Sequence, residues 1–174
     1  MMQEIKTLIT VEEIKERIRK IAKEITKEYK GTTLHLICVL KGGVIFMCEL
    51  AKEIKDVPVT LDFMAISSYG SGKVSSGIVK IVKDLDEPIE DKNLLIVEDI
   101  IDSGRTLNYL IQMLKERKPK SMKVCTLLDK PERRVVEVNV DYVGFEIPDK
   151  YVVGYGLDFD QKYRNLPYVG YIEE

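Results

Sequence analysis

The chain has 174 residues, of which 45% are hydrophobic and 32% are charged, and its formal net charge is -2. These values are typical of one globular domain, here residues 1–174, and the charge excludes a uniformly basic nucleic-acid-binding protein. No apolar run reaches the ~18 residues that a membrane-spanning helix needs, and the first residues lack the pattern of a signal peptide. We therefore expect a cytoplasmic protein.

The cysteines and the histidine narrow the possible chemistry. Cys38, Cys48 and Cys125 lie in apolar segments without CxxC spacing, so we expect them to be buried free thiols in a reducing compartment. His35 is the only histidine, and its β-rich surroundings predict a strand residue with a hydrogen-bonded ring. One histidine excludes a multi-histidine zinc site and leaves no Ser-His-Asp triad away from His35.

The first third of the chain predicts a helix, a strand, a second helix and a second strand. Thr10 and Glu13 have the spacing of a capping box with Thr10 as N-cap. Isoleucines then recur at helical spacing until Gly31 ends the pattern. The elements that follow are a buried strand, a mostly buried helix and another strand, at residues 33–40, 44–55 and 57–66.

The rest of the chain continues this alternation after a glycine-rich segment. Residues 67–77 are small and polar with no apolar period, which predicts a mobile surface loop. A helix with an apolar stripe is predicted from residue 107 to a point before Pro119. Strands are predicted at residues 78–82, 93–98, 122–128, 141–145, 151–155 and 168–172. Strands alternating with helices predict an α/β fold with a central, mainly parallel twisted sheet flanked by helices.

Residues 97–109 (VEDIIDSGRTLNY) carry the strongest functional pattern. Glu98 and Asp99 follow an apolar strand and could hold ribose hydroxyls or Mg²⁺, which prefers oxygen ligands. Alternatively they are polar residues that alternate between opposite faces of the strand. Asp102 follows two isoleucines, and an apolar wall would raise its basicity and suit a proton acceptor. Residues 103–106 place backbone N–H groups at a helix start, where a phosphate binds readily.

Three further clusters follow strands and should open onto the same edge of the sheet. Lys41 and Gly42 follow the first strand of the sheet, although two glycines there usually just form a turn. Lys130 follows a later strand and is either solvated or a donor to a carbonyl oxygen. Tyr151 is either a core residue or an exposed stacking platform for a base. Asp158 and Arg164 are charged candidates that, taken alone, are more often surface residues.

Taken together, these segments resemble purine phosphoribosyltransferases of the hypoxanthine–guanine type. The resemblance runs from about Leu34 to Arg164. Its most specific parts are residues 97–106 (VEDIIDSGRT), typical of enzymes that use phosphoribosyl diphosphate (PRPP), and residues 143–155 (VGFEIPDKYVVGY), typical of the 6-oxopurine branch. It implies a Rossmann-like core of the type I phosphoribosyltransferases. The core would span about residues 33–145, the hood 1–10 and 146–174, and the mobile lid 67–78.

The resemblance also implies roles at the sugar and phosphate. Glu98 and Asp99 would hold the ribose hydroxyls, directly or through Mg²⁺, and Asp158 would help to carry a second Mg²⁺. Asp102 would be the general base that accepts the proton from N7 of the purine. The 5′-phosphate would be bound by Ser103, Gly104, Arg105 and Thr106.

The remaining clusters would hold the base and the diphosphate. Lys130 would donate to the purine 6-oxo oxygen, Tyr151 would stack on the base, and the backbone of Val152 would read the ring edge. The diphosphate would contact Lys41, Gly42 and Arg164. The lid would carry Ser68 and Tyr69. The Leu40–Lys41 peptide bond is often cis in such enzymes.

The implied function is purine salvage. The enzyme would transfer the 5-phosphoribosyl group from PRPP to N9 of hypoxanthine or guanine, giving IMP or GMP and diphosphate, with Mg²⁺ as cofactor. We expect a homodimer or homotetramer, with no nucleic-acid or membrane partner. The alternative is a nucleotide-sensing regulatory protein that binds RNA or DNA on the same fold. Such a protein needs a basic face, whereas here residues 17–20 and 115–118 are diluted by acids.

Overall fold

The computed structural model describes residues 4–68 and 79–173. In these residues the α-helices are α1 (Val11–Glu28), α2 (Val44–Glu53) and α3 (Arg105–Lys115), and a 3₁₀ turn spans Pro131–Arg133. The strands are β1 (Ile5–Ile9), β2 (Leu34–Leu40), β3 (Val59–Ser68), β4 (Val79–Lys83), β5 (Asn93–Ile101), β6 (Ser121–Asp129), β7 (Tyr142–Glu146), β8 (Tyr151–Val153) and β9 (Val169–Ile172). The predicted lid lies largely at residues 69–78, so Tyr69 falls outside the described residues.

The central sheet has the strand order β4-β3-β2-β5-β6-β7. Every neighbouring pair is parallel except β3 and β4, which are antiparallel. Buried side chains of α1 and α2 pack on one side of the sheet, and those of α3 belong to a second apolar cluster. The predicted α/β fold is therefore confirmed, because helices cover a mainly parallel sheet from both faces.

A second, smaller sheet is built from both ends of the described chain. Its order is β1-β9-β8, with antiparallel pairs throughout. Ile172 pairs with Ile5 on one side and with Tyr151 on the other. This is the small hood expected from the N-terminal and C-terminal segments. None of the helices in residues 4–68 and 79–173 is long and apolar enough to cross a membrane.

Helix α1 begins where the capping box predicted it. The Thr10 hydroxyl accepts a hydrogen bond from the Glu13 backbone N–H at 3.3 Å, and the Glu13 carboxylate accepts one from the Thr10 N–H at 2.8 Å. These bonds satisfy two of the N–H groups that a helix start leaves without partners. The apolar stripe of α1 is fully buried, so this helix anchors one face of the core.

Strand β5 extends three residues beyond the predicted range of 93–98. Ile100 and Ile101 remain paired with Leu128 and Asp129 of β6, which keeps the backbone extended past the acids. Glu98 and Asp99 therefore lie within the strand rather than after it. Since successive side chains in a strand point to opposite faces, these two carboxylates diverge.

The expectation that all three cysteines are buried is wrong for Cys48. Cys38 and Cys125 are buried, whereas Cys48 is exposed on α2. The buried positions of α2 are Phe46, Met47 and Leu50, and helical spacing turns Cys48 away from them. His35, by contrast, forms the expected ring hydrogen bond, with the Thr60 hydroxyl.

The cysteines should differ sharply in reactivity. Burial, aided by the charges of Glu98 and Asp99, raises the pKa of Cys38 to about 12, and burial also raises the pKa of Cys125. Because the thiolate is the reactive form, a disulfide reagent at pH 8 should modify Cys48 rapidly and the other two only after denaturation. A spectrophotometric thiol titration with and without guanidinium checks this, and three fast thiols in the native protein would contradict it.

Candidate active site

A cavity of about 770 Å³ opens at the carboxyl ends of β5 and β6, under the smaller sheet. Its walls include the end of β5, the 3₁₀ turn after β6, the segment before β8, and β9. Six of the predicted site residues line it: Asp99, Asp102, Lys130, Tyr151, Val152 and Asp158. Residues from five separate strands and loops thus converge where ligands bind in open α/β sheets.

Backbone hydrogen bonds fix the relative positions of Asp102 and Lys130. The Lys130 N–H donates to the Ile101 carbonyl at 3.0 Å, which joins the ends of β5 and β6. The Ile147 N–H donates to the Asp129 carbonyl at 2.8 Å and brings the next segment alongside. Two side chains that are far apart in sequence are therefore held at adjacent points of the cavity.

The surroundings of Asp102 differ from the expected apolar wall. Its side chain is 50% exposed, and Oδ1 lies 3.1 Å from Nε of Arg133. Lys130, in contrast, is 8% exposed and lies 3.5 Å from Asp149. The alternative that Lys130 is merely a solvated residue is therefore wrong, because its ammonium group is enclosed in the cavity wall.

The two adjacent acids of β5 are electrostatically unfavourable in the free protein. Asp99 lines the cavity, and Glu98 does not. Burial raises the pKa of Glu98 well above its usual range, and the Asp99 charge adds to this effect. Burial also raises the pKa of Asp99, while hydrogen bonds from backbone N–H groups and the nearby Arg164 act in the opposite direction. A cation bound here would offset this charge.

Glu98→Gln should therefore stabilise the ligand-free protein at pH 8. A carboxyl group whose pKa is higher in the folded than in the unfolded state destabilises the protein as the pH rises. The free energy of unfolding falls between the unfolded-state pKa, ~4.3, and the folded-state pKa. The neutral amide avoids this loss, so the variant's melting temperature should exceed that of the wild type at pH 8 and converge with it near pH 4. Thermal unfolding without divalent cations at both pH values tests this. A lower melting temperature at pH 8 would contradict it.

The predicted phosphate loop forms a turn at the start of α3. Gly104 has a φ of +80° and precedes the first helical residue, Arg105. The Ser103 carbonyl accepts hydrogen bonds from Val135 and Val136 at 2.9 and 3.0 Å, which pins the turn. Residues 103–106 adjoin the cavity through Asp102 but do not line it. The turn provides the N–H groups of a helix start, which suit an anion, and the Arg105 N–H donates to the Ser103 hydroxyl at 3.4 Å.

Lys41 and Arg164 meet at Gln161, a residue that the sequence pattern did not identify. The Gln161 side-chain oxygen accepts from Lys41 at 3.3 Å and from Arg164 at 3.2 Å. Arg164 also lies 2.9 Å from Asp158, whose other oxygen accepts from the Gln161 N–H at 2.8 Å. The two cations expected at the diphosphate are thus neighbours. The Leu40–Lys41 peptide bond is cis, as the resemblance implied.

Gly42 touches the acidic strand directly. A Cβ atom built on Gly42 would lie 1.7 Å from Oδ2 of Asp99, so a larger residue fits only if that carboxylate moves. A Cβ atom on Gly156 would lie 2.0 Å from the Gly42 carbonyl oxygen. The Lys41–Gly42 turn is therefore packed between the acidic strand and the loop that leads to Arg164.

Tyr151 presents an exposed aromatic face to the cavity. Its side chain is 50% exposed and packs edge-to-face against Phe159, with ring centroids 5.5 Å apart and an interplanar angle of 80°. Its hydroxyl donates to the Asp158 carbonyl at 3.3 Å. The alternative that Tyr151 is a core residue is wrong, and a ring held in this way is a suitable stacking surface.

Eight other cavity residues were not assigned roles from the sequence: Ile100, Arg133, Asp149, Lys150, Leu157, Tyr171, Ile172 and Glu173. The two-residue period of β5 groups Ile100 with Glu98, which does not line the cavity, so the strand pattern gave no signal for Ile100. Arg133 and Asp149 are charged residues in loops, and only the tertiary structure brings them to the cavity.

The carboxylate oxygens at the end of β5 are of the kind that binds Mg²⁺. Among residues 4–68 and 79–173 no group of three or more His, Cys, Asp or Glu side chains is arranged to hold a metal by itself. Mg²⁺ is commonly bound by one or two carboxylates together with substrate oxygens and water. Asp99 could supply one such carboxylate, whereas Glu98 does not line the cavity and both oxygens of Asp158 already have protein partners.

Comparisons with known proteins show the family of the chain. Residues 6–160 match the family model described as phosphoribosyl transferase domain. A hypoxanthine-guanine phosphoribosyltransferase from Streptococcus thermophilus is 52% identical over 169 residues, covering 97% of this chain and 93% of the relative. The solved structure of a hypoxanthine phosphoribosyltransferase from Staphylococcus aureus has a TM-score of 0.93 and 45% identity, covering 97% of this chain and 91% of that one.

Other relatives are much longer than this chain. The bifunctional protein TilS/HprT of Listeria monocytogenes is 52% identical over 168 residues, so the chain spans 26% of that relative's length. In both kinds of relative the similarity covers 97% of this chain. From its sequence, its fold and the arrangement of its cavity, the chain belongs to the phosphoribosyltransferase family, within the group of hypoxanthine-guanine phosphoribosyltransferases.

Proposed function

We propose that this protein is a cytoplasmic enzyme of purine salvage. It transfers the 5-phosphoribosyl group of PRPP to N9 of hypoxanthine or guanine and produces IMP or GMP and diphosphate. The names of relatives with 52% identity over nearly the whole chain support this reaction. The working unit would be a homodimer or homotetramer, since most soluble oligomers are symmetric assemblies of identical chains.

The sugar phosphate would lie along the end of β5 and the start of α3. Asp99, which lines the cavity, would hold the ribose hydroxyls or an Mg²⁺ ion. Glu98, which does not line the cavity, and Asp158, whose two oxygens have protein partners, would have to reorient to assist with the ribose hydroxyls or with Mg²⁺. The N–H groups of residues 103–106 would cradle the 5′-phosphate, aided by the positive end of the helix dipole. Lys41, Gly42 and Arg164 would contact the diphosphate, which is supported by the shared partner of the two cations, Gln161.

The base would bind between the strand end and the smaller sheet. Tyr151 would stack on the ring, and Ile100, which lines the same cavity, would provide an apolar surface. Lys130 would donate to the 6-oxo oxygen, and the backbone of Val152 would read the ring edge. Asp102 would accept the proton from N7. This assignment selects 6-oxopurines, because an amino group at that position could not accept the lysine's hydrogen bond.

The protein's contribution to the reaction would be alignment, charge stabilisation and proton removal. The transition state would resemble an oxocarbenium ion, as at other glycosyl centres. When bound, Mg²⁺ supplies positive charge that neutralises the leaving diphosphate. Lys41 and Arg164 would add fixed positive charge at the same end, and Tyr151 would hold the attacking nitrogen in line. Exclusion of water would matter because hydrolysis of PRPP competes.

The observation that carries the proposal is the convergence of Asp99, Asp102, Lys130, Tyr151, Val152 and Asp158 on one cavity. Initial rates with PRPP, Mg²⁺ and, in turn, hypoxanthine, guanine and xanthine test it. We expect turnover with hypoxanthine or guanine that requires both PRPP and the divalent cation. Absence of nucleotide formation with all three bases would refute the proposal.

A further inference from the structure

Four side chains of alternating charge form a continuous series around the cavity. Arg133 Nε lies 3.1 Å from Asp102 Oδ1, and its Nη1 lies 3.5 Å from Asp149 Oδ2. The other oxygen of Asp149 lies 3.5 Å from the Lys130 ammonium. All four residues line the cavity. The two ends of the series, Asp102 and Lys130, are the side chains proposed above to contact N7 and the 6-oxo oxygen of the base.

The backbone anchors the middle of this series. Arg133 ends the 3₁₀ turn that begins directly after Lys130, and its N–H donates to the Lys130 carbonyl at 3.1 Å. The segment that carries Asp149 is attached to the end of β6 by the bond from Ile147 to Asp129 at 2.8 Å. The guanidinium group is therefore supported between two carboxylates that come from different loops.

Folding stability does not account for this arrangement. The side chains of Arg133, Asp102 and Asp149 are 53%, 50% and 45% exposed, and ion pairs this exposed contribute little to stability. Their interactions would strengthen when a bound base displaces water from the cavity. The ionic interactions of the series therefore contribute most to the free energy when a base is bound.

We infer that Arg133 is a positioning residue for base transfer; this inference rests on the proposed function. Its guanidinium group engages Oδ1 of Asp102 and leaves Oδ2 for the N7 proton. Through Asp149 it also fixes the Lys130 ammonium at the 6-oxo oxygen, which is next to N7 on the purine ring. The planar guanidinium reaches both carboxylates at once, and a lysine at this position could reach only one of them.

The test compares Arg133→Gln and Arg133→Lys with the wild type in steady-state assays at varied hypoxanthine and varied PRPP. Arg133→Gln should lower kcat/KM for hypoxanthine by about tenfold, a usual size for coupling between contacting groups. Arg133→Lys should fall between Arg133→Gln and the wild type, and the KM for PRPP should stay unchanged in both. Arg117→Gln, which removes a guanidinium paired with the distant Asp84, is the matched control and should behave as the wild type.

The outcomes distinguish this inference from the function on which it rests. An inactive wild type would overturn both. An active wild type with unaltered Arg133→Gln kinetics would overturn the positioning role alone. An equal rise in the KM for PRPP would also overturn it, because general distortion of the site would then explain the loss. Asp149→Asn provides an independent check: its effect on hypoxanthine kinetics should be non-additive with that of Arg133→Gln, and additive effects would contradict the inference.

Discussion

Asp102→Asn is expected to slow nucleotide formation by ~10²–10⁴-fold, the usual contribution of a general base. The amide has the size of the carboxylate but cannot accept the N7 proton. Since Asp102 is half exposed and its ion pair with Arg133 is at the surface, the fold should be preserved. Single-turnover formation of IMP from preformed enzyme–PRPP complex measures the chemical step.

Binding of PRPP provides the internal control for this prediction. Asp102 is assigned to the base, so the affinity of the variant for PRPP should remain close to that of the wild type. Asp86→Asn, which alters an exposed aspartate that is paired with Lys83 and does not line the cavity, should leave the rate unaffected. A single-turnover rate of Asp102→Asn equal to that of the wild type would remove Asp102 from the role of base.

Gly42→Ala is expected to lower kcat/KM by about 10²-fold, the cost of misplacing a reacting group by roughly 1 Å. The added Cβ atom would overlap Asp99 Oδ2, only 1.7 Å away, and must push the carboxylate out of its position. The side chain can rotate, so the loss should appear in activity more than in stability. Steady-state kinetics together with thermal unfolding separate the two effects.

Gly31→Ala is the matched glycine control. Gly31, unlike Gly42, has a positive φ, +78°, and a Cβ atom there meets nothing within 4 Å. This variant should lose a little stability through backbone strain and keep its activity. Wild-type kinetics in Gly42→Ala would mean that the position of Asp99 is unimportant for turnover.

Local signals in the sequence predicted most elements of the fold. The capping box at Thr10 and the isoleucine stripe determine α1, because both act within a few turns of helix. The end of β5 was not predicted, since it depends on pairing of Ile100 and Ile101 with a strand almost 30 residues later. The exposure of Cys48 follows from the helical period of α2 and could have been read from the sequence.

In the site, too, residues within short motifs were predicted, and residues brought together by long-range contacts were not. Asp99 and Asp102 were identified because a short motif carries them, and the structure brings both to the cavity. Arg133 and Gln161 belong to no such motif, and Asp149 lies within residues 143–155 but was assigned no role. Contacts such as that of Lys41 with Gln161 join residues 120 positions apart. Charge alone cannot distinguish such residues from ordinary solvated ones.

The most direct test of the central claim is a crystal structure of the protein with bound IMP. We expect the 5′-phosphate to accept hydrogen bonds from N–H groups of residues 103–106. The base should stack on Tyr151, with its 6-oxo oxygen at Lys130 and N7 facing Asp102. A nucleotide bound away from Thr106, or a start of α3 folded shut against the core with the phosphate elsewhere, would contradict the assignment of this cavity as the active site.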